Sequence, residues 1–339
     1  MKKSRFFPFE RNRYFYGKSL TVRDFESEQK YFNDKRRLLN RSLFGGGVVA
    51  GLQVVAVDDK SVSVQSGLAL DGLGREIIVS SPVTLKLSMM EGFNNNDYAK
   101  NVYLCIAYDE KGKEPVHAVA NSSGRPDEIS EYNRVVEGRR LYIREDAPDP
   151  GEFEWNEFAF STVVLYDDGQ VRVLQTVPRY VAEGEPFEIE LRVEKTLQTP
   201  SVSFEYELLD GLFPVTNGPG YSADGRIRFD APSGGTADDC TLRWTVKATG
   251  RAGDKGDFGP KPGSAVLTIG DRRVLAESAR PQSIEIVADV EEKLWETYAA
   301  RSMDEAISTP AEPAVVLAKI SLLQMGPSYV IDHVTPVAL

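Results

Sequence analysis

The chain has little of what most enzyme sites are built from. Among its 339 residues are two histidines, His117 and His333, and two cysteines, Cys105 and Cys240. A zinc centre of the usual kind needs His and Cys ligands clustered at short spacing, and these four are scattered. A Ser–His–acid triad would have to recruit one of the two histidines, and neither comes with a G-x-S-x-G nucleophile elbow. Each histidine is therefore expected at the surface or a strand edge. The cysteines fall in different expected domains, so they read as buried reduced thiols rather than a disulfide framework. No apolar run approaches the ~20 residues of a membrane span. Met1–Glu10 opens with basic residues, but Pro8, Glu10 and Arg11 break up its aromatic stretch, and no secretory signal is read. Cytosolic synthesis, no metal and no cofactor are the expectation.

What is present is ordinary globular material. A hydrophobic fraction of 41% and a charged fraction of 27% allow a real core, and the length allows two or three domains. The charge is unevenly spread. The net charge of −11 divides into +7 over residues 1–41 and −18 over the rest. A basic arm can seek nucleic acid, an anionic membrane or an acidic protein surface, and the acidic body disfavours the first two. The expected partner is protein.

The spacing predicts one long helix near the start. Thr21 and Asp24 form a capping-box-like pair, and Val22, Phe25, Phe32, Leu39 and Leu43 share a stripe. Asp24, Glu26 and Glu28 lie in its early turns, and Lys35, Arg36, Arg37 and Arg41 in its last turns, which suits the helix dipole. Phe25, Phe32 and Leu39 are seven apart, with Val22, Gln29, Arg36 and Leu43 as a second set, so the stripe has a heptad character. It could pack on its own body or on copies of itself, and packing on the body is favoured. Gly45-Gly46-Gly47 then stops the helix.

After the glycines the pattern is β. Strands are expected at Val48–Val57, Ser61–Val64, Gly67–Leu70, Arg75–Val79, Val102–Tyr108, Glu131–Arg144, Glu157–Tyr166 and Val171–Leu174, with tight turns at Asp71-Gly72-Leu73-Gly74 and Asp167-Asp168-Gly169. From Arg179 short alternating strands follow about every ten residues, the pattern of a small immunoglobulin-like β-sandwich with Trp244 as its buried aromatic. A helix within Val287–Ile307 and closing strands at Ala314–Leu323 and Tyr329–Val334 end the chain. The expected fold is mainly β (α+β). Its divisions are an arm and helix (1–44), a β-rich domain (45–176), the inserted sandwich (177–285), and a C-terminal helix and strands completing the first β domain (286–339).

Motifs that could carry chemistry fail on context. Gly45–Gly51 resembles a phosphate loop in composition, but it closes a helix and opens a strand, and no Gly-Lys-Ser/Thr follows. Asp71–Glu76 lacks the alternating oxygen ligands of a calcium loop. Glu152, Glu154 and Glu157 near Phe153 and Trp155 could in principle form a glycosidase carboxylate pair, but with 51 acidic residues such clusters arise by chance. The loop Arg251–Gly263 reads as exposed. Aromatic platforms for a glycan in the sandwich loops would have to come from Phe213, Tyr221 and Phe258.

The run Arg13-Tyr14-Phe15-Tyr16-Gly17-Lys18, then Leu20 to Phe25, Gln29, Tyr31-Phe32-Asn33 and Lys35 to Arg41, followed by Gly47-Val48-Val49, Gly51-Leu52, Gly67 to Asp71 and Gly74 to Ile77, resembles a family of bacterial proteins associated with phage-tail-like contractile injection systems. Tyr132, Arg134, Glu137-Gly138 and Leu317 to Ile320 follow the same pattern more loosely. The resemblance covers about residues 10–175 and 314–335, with the sandwich as an insertion. It implies a non-enzymatic structural component, baseplate-peripheral or fibre-connecting, assembled in the cytoplasm and carried on a released particle. Its partners would be other proteins of the particle, with a homo-oligomer possible and no nucleic acid or membrane span. The residues expected to dock on a neighbour are Arg13, Tyr14, Tyr16, Arg23, Arg36 and Arg37. The alternative is a surface- or carbohydrate-binding module acting through the sandwich loops.

Overall fold

The computed structural model describes residues 9–94, 101–117, 130–148, 158–196, 199–222, 224–231, 240–301, 313–326 and 328–337. A helix, α1 (Val22–Leu43), leads into β1 (Gly47–Gly51), β2 (Val54–Asp58), β3 (Ser61–Val64), β4 (Gly67–Leu70), β5 (Glu76–Val79) and β6 (Val83–Lys86). Two long strands follow, β7 (Asn101–His117) and β8 (Ser130–Arg144), then β9 (Phe160–Asp167), β10 (Val171–Pro178), β11 (Tyr180–Ala182), β12 (Pro186–Lys195), β13 (Val202–Glu207) and β14 (Val215–Asn217). The remainder is β15 (Arg226–Ala231), β16 (Cys240–Lys247), β17 (Lys255–Phe258), β18 (Val266–Ile269), β19 (Arg272–Leu275), β20 (Gln282–Val287), α2 (Val290–Ala299), β21 (Val315–Met325) and β22 (Ser328–Pro336). Among the described residues the fold is mainly β with two α-helices, as the sequence pattern predicts.

The expected single strand over Val48–Val57 is two. Gly51 (φ 66°) and Leu52 (φ 57°) both take left-handed backbone, which ends β1 and re-aims β2 into another sheet. The close approach there admits only glycine: a Cβ on Gly51 would lie 2.2 Å from the Ser66 carbonyl oxygen. β1, β4 and β5 make one three-stranded sheet and β2, β3 and β6 another. β7 pairs antiparallel with β8 along a ribbon from Tyr103 opposite Arg144 to His117 opposite Ser130. β21 returns across the chain to sit between β7 and β22. These strands enclose one core, from Leu52, Val62, Val64 and Ile77 through Leu104 and Ile106 to Ile320 and Leu322. Tyr103, Cys105, Ala107, Ala314 and Val316 form a cluster on the other face of the β7–β21 pair. With both faces covered, β21 is buried without alternation from Val315 to Leu322, Lys319 and Ser321 included.

The second core is sandwich-like. A five-stranded sheet in the order β14-β16-β12-β10-β9, a four-stranded sheet β15-β13-β18-β19 and a three-stranded sheet β11-β20-β17 contribute to it. Strict alternation buries Val202, Phe204 and Tyr206 of β13 and Ile227, Phe229 and Ala231 of β15. Trp244 is fully buried, with its indole N–H donating to the Pro219 carbonyl at 2.8 Å. The inner polar groups are paired: the Gln175 amide donates to Gln282 at 2.8 Å, and the Tyr206 hydroxyl donates to Gln175 at 3.0 Å.

The drawn boundaries shift in two places. β9 and β10, placed by sequence with the first β-rich unit, join the five-stranded sheet and send Leu165, Val171, Val173 and Val177 into the sandwich core. α2, placed with the closing strands, packs on β11, where the Tyr180 and Thr297 hydroxyls are 3.0 Å apart and Lys293 pairs with Glu285. β21 and β22 alone return to the first core.

Candidate functional site

The N-terminal arm and α1 form a composite element lying on the first β unit. The helix starts as its sequence dictates: the Thr21 backbone N–H and hydroxyl both donate to the Asp24 carboxylate, at 2.9 and 2.6 Å. Lys18 adds an ion pair to Asp24 at 2.9 Å. Hydrogen bonds from Thr21 and from Lys18 hold the Asp24 carboxyl well below the usual carboxylate range. The arm runs back along one side of the helix. The Asn12 amide donates to the Asp24 carbonyl and the Tyr14 hydroxyl to Glu28. Phe9 meets Tyr31 edge-on at 6.4 Å, and the Lys35 ammonium sits 4.9 Å from the Phe9 ring centre.

At its other end the helix is fixed to the turn between β4 and β5. The Asn40 amide donates to the Gly74 carbonyl at 2.9 Å and to Glu76 at 3.0 Å, and Arg36 pairs with Glu76 at 3.0 Å. Behind this lies a buried charge group. Asp71, with no exposed surface, accepts from the backbone N–H groups of Leu73 and Arg75 and from the Arg75 side chain at 2.6 Å. Arg41 is buried beside it, its pKa lowered by desolvation and partly restored by the Asp71 charge. Gly74 (φ 76°) lets the turn touch the helix: a Cβ there would stand 2.4 Å from the Arg37 carbonyl oxygen.

This polar docking has a consequence for the apolar stripe. Packing of the stripe on the chain's own body was the favoured expectation, and the structure overturns it. Val22 is 73% exposed, Phe25 53%, Phe32 63%, Leu39 56% and Leu43 55%. The helix instead turns Asn40 and Arg41 to the body and Glu28 and Tyr31 to the arm, leaving the stripe outward.

The predicted docking residues divide accordingly. Arg13, Tyr14, Tyr16 and Arg23 are exposed on the arm and first turn, with Tyr16 fully so. Arg36 is tied to Glu76 and so holds the helix to its own hairpin, and Arg37 is half-buried. Sequence reasoning missed Asn40, Asp71, Gly74 and Glu76 as the counterpart. The signal was an Asp followed by Arg four residues later in a turn, read only as a turn.

The other candidates separate on burial and placement. Phe213 and Phe258 are buried, which removes them as glycan platforms and leaves Tyr221 partly exposed. The supposed loop Arg251–Gly263 contains β17, paired with β20. His333 is exposed on β22, and the side chain of His117 and residues Glu152 to Glu157 lie outside the described residues. Among the described residues, no group of three or more His, Cys, Asp or Glu side chains is placed to hold a metal, and no helix is long and apolar enough to cross a membrane. A groove of about 280 Å³ lined by Asp59, Lys60, Lys86, Ser88, Phe93 and Tyr329 lies beside β22. No family model matches the chain, and no curated protein does.

Proposed function

We propose that the chain is a non-enzymatic structural component of a phage-tail-like contractile injection particle, docking through its arm and helix on neighbouring subunits near the baseplate or fibres. It is assembled in the cytoplasm and leaves the cell on the particle. The reading rests on the sequence resemblance, and the observation that supports it is the exposed N-terminal surface. Arg13 and Tyr16 stand outward on an arm that Asn12 and Tyr14 pin to α1, Tyr14 keeps half its surface exposed, and Arg23 is exposed on the first turn of the helix; arginine and tyrosine are efficient interface anchors because they combine large area with directed hydrogen bonds.

The test is co-sedimentation. The full chain should travel with sheath- and tube-bearing particles when a native lysate is fractionated. Deleting residues 1–44 should strip it from them, and so should Arg13→Ala combined with Tyr16→Ala, two changes at exposed positions that leave the hairpin contacts intact. Retention of both variants in purified particles would sink the docking role.

A further inference from the structure

The outward stripe of α1 has a spacing that packing on a globular core does not require. Val22, Phe25, Phe32, Leu39 and Leu43, with Gln29 and Arg36 completing the series, advance in alternate steps of three and four. These are the a and d positions of three heptads, the narrow seam of a coiled coil rather than the wider apolar face of a helix on a core. The seam runs about 33 Å along a straight helix of this length. All its apolar members are more than half exposed.

We propose that this seam is covered by the same seam of a second copy of the chain, with the two helices antiparallel. The inference stands apart from the particle reading and does not depend on it. Charge selects both partner and direction. Arg36 pairs with Glu76 and Arg41 is buried against the body, so the charges flanking the exposed seam are those of Glu28 and Lys35, which lean on the arm through Tyr14 and Phe9. Antiparallel order aligns the helix dipoles favourably. In that order Glu28 and Lys35 of the second copy occupy facing flank positions, and the pair occurs twice by symmetry.

The seam layers agree. Antiparallel pairing sets Val22 against Leu39, Phe25 against Arg36 and Gln29 against Phe32 of the second copy. Arg36 enters such a seam already neutralised by its own Glu76 at 3.0 Å, with an aromatic face opposite its guanidinium. Parallel in-register order would stack Arg36 on Arg36 and Gln29 on Gln29. A free helix of three heptads is marginal in water. Here α1 is ordered in the single chain by the arm and the hairpin, so association need not supply its ordering.

Sedimentation velocity on the full chain over a micromolar dilution series tests the partner. A reversible monomer–dimer equilibrium is expected. Phe32→Glu, at the seam centre, should raise the dimer Kd at least tenfold, about 1.4 kcal/mol, without moving the melting transition measured at concentrations where the unaltered chain is monomeric. A monomer at every concentration, a trimer, or a dimer indifferent to Phe32→Glu would overturn the proposal. Direction is tested in a Cys240→Ser background, where Cys105 is buried. A mixture of Val22→Cys chains with Leu39→Cys chains should yield a disulfide-linked dimer containing both, and neither alone should cross-link. Cross-linking of each alone would refute the antiparallel order.

Discussion

Gly74 is where helix and hairpin come closest, and its lack of a side chain sets that distance. Alanine there would have to relieve a 2.4 Å contact with the Arg37 carbonyl while holding φ at 76°. Gly74→Ala is expected to cost about 1–3 kcal/mol and to loosen the last turns of α1, read as faster amide exchange around Asn40 and Arg41. Unchanged exchange there would show that the turn accommodates a Cβ. Asp24 makes a second residue-level prediction. Its folded pKa is depressed, chiefly by the Thr21 hydroxyl, so its contribution is fully present above the unfolded value near 3.9 and is lost as pH falls through the folded value. Carboxyl ¹³C titration should place the Asp24 midpoint well below those of ordinary aspartates; a midpoint in their range would mean that the box does not form in solution. The Thr21–Asp24 box was legible because capping is local in sequence. The partnership of Asn40 with Gly74 and Glu76 was not, since 34 residues separate its members and nothing in a lone Asn announces a distant carbonyl.

At the level of elements, the sequence told period from period but not what lies opposite. The three-and-four spacing in α1 identifies an apolar face, yet covering that face is a tertiary event, and hydrogen bonds at Asn40 and Glu76 turn the helix the other way. β17 was hidden because Gly256 and Asp257 interrupt its apolar pattern, although Phe258 is buried behind it. The sandwich boundary was drawn at the composition change near Arg179, whereas β10 continues to Pro178 and is the strand between β9 and β12. Removing β9 and β10 would leave the β12 edge unpaired and open the core at Leu165, Val173 and Val177. A fragment of residues 158–301 is therefore expected to fold, with Trp244 fluorescence and a cooperative melt. Residues 177–285 alone should remain unfolded or aggregate. Cooperative folding of the shorter fragment would show that the sandwich closes without its first two strands.

On the scale of the whole molecule, the two large cores share no residue. One gathers Leu52 to Ile143 with Val315 to Ile331, and the other gathers Leu165 to Ile286. The chain leaves the first after β8, builds the second without interruption, and returns through β21 to pair with β7. Units with separate cores can unfold separately, and a substitution deep in one should leave the other's transition in place. Asp71 offers the means to check this, because it belongs to the first unit and anchors Arg75 with Arg41 beside it. Asp71→Ala removes the carboxylate that Arg75 pairs with and leaves the backbone N–H groups of Leu73 and Arg75 without their acceptor, a loss of about 3 kcal/mol. Calorimetry should then show the transition of the first unit moved down, while the transition followed by Trp244 at the centre of the sandwich stays where it was. Two transitions falling together would mean that the inserted sandwich and the surrounding β unit are energetically one body, and that contacts between them carry stability which separate cores alone would not supply.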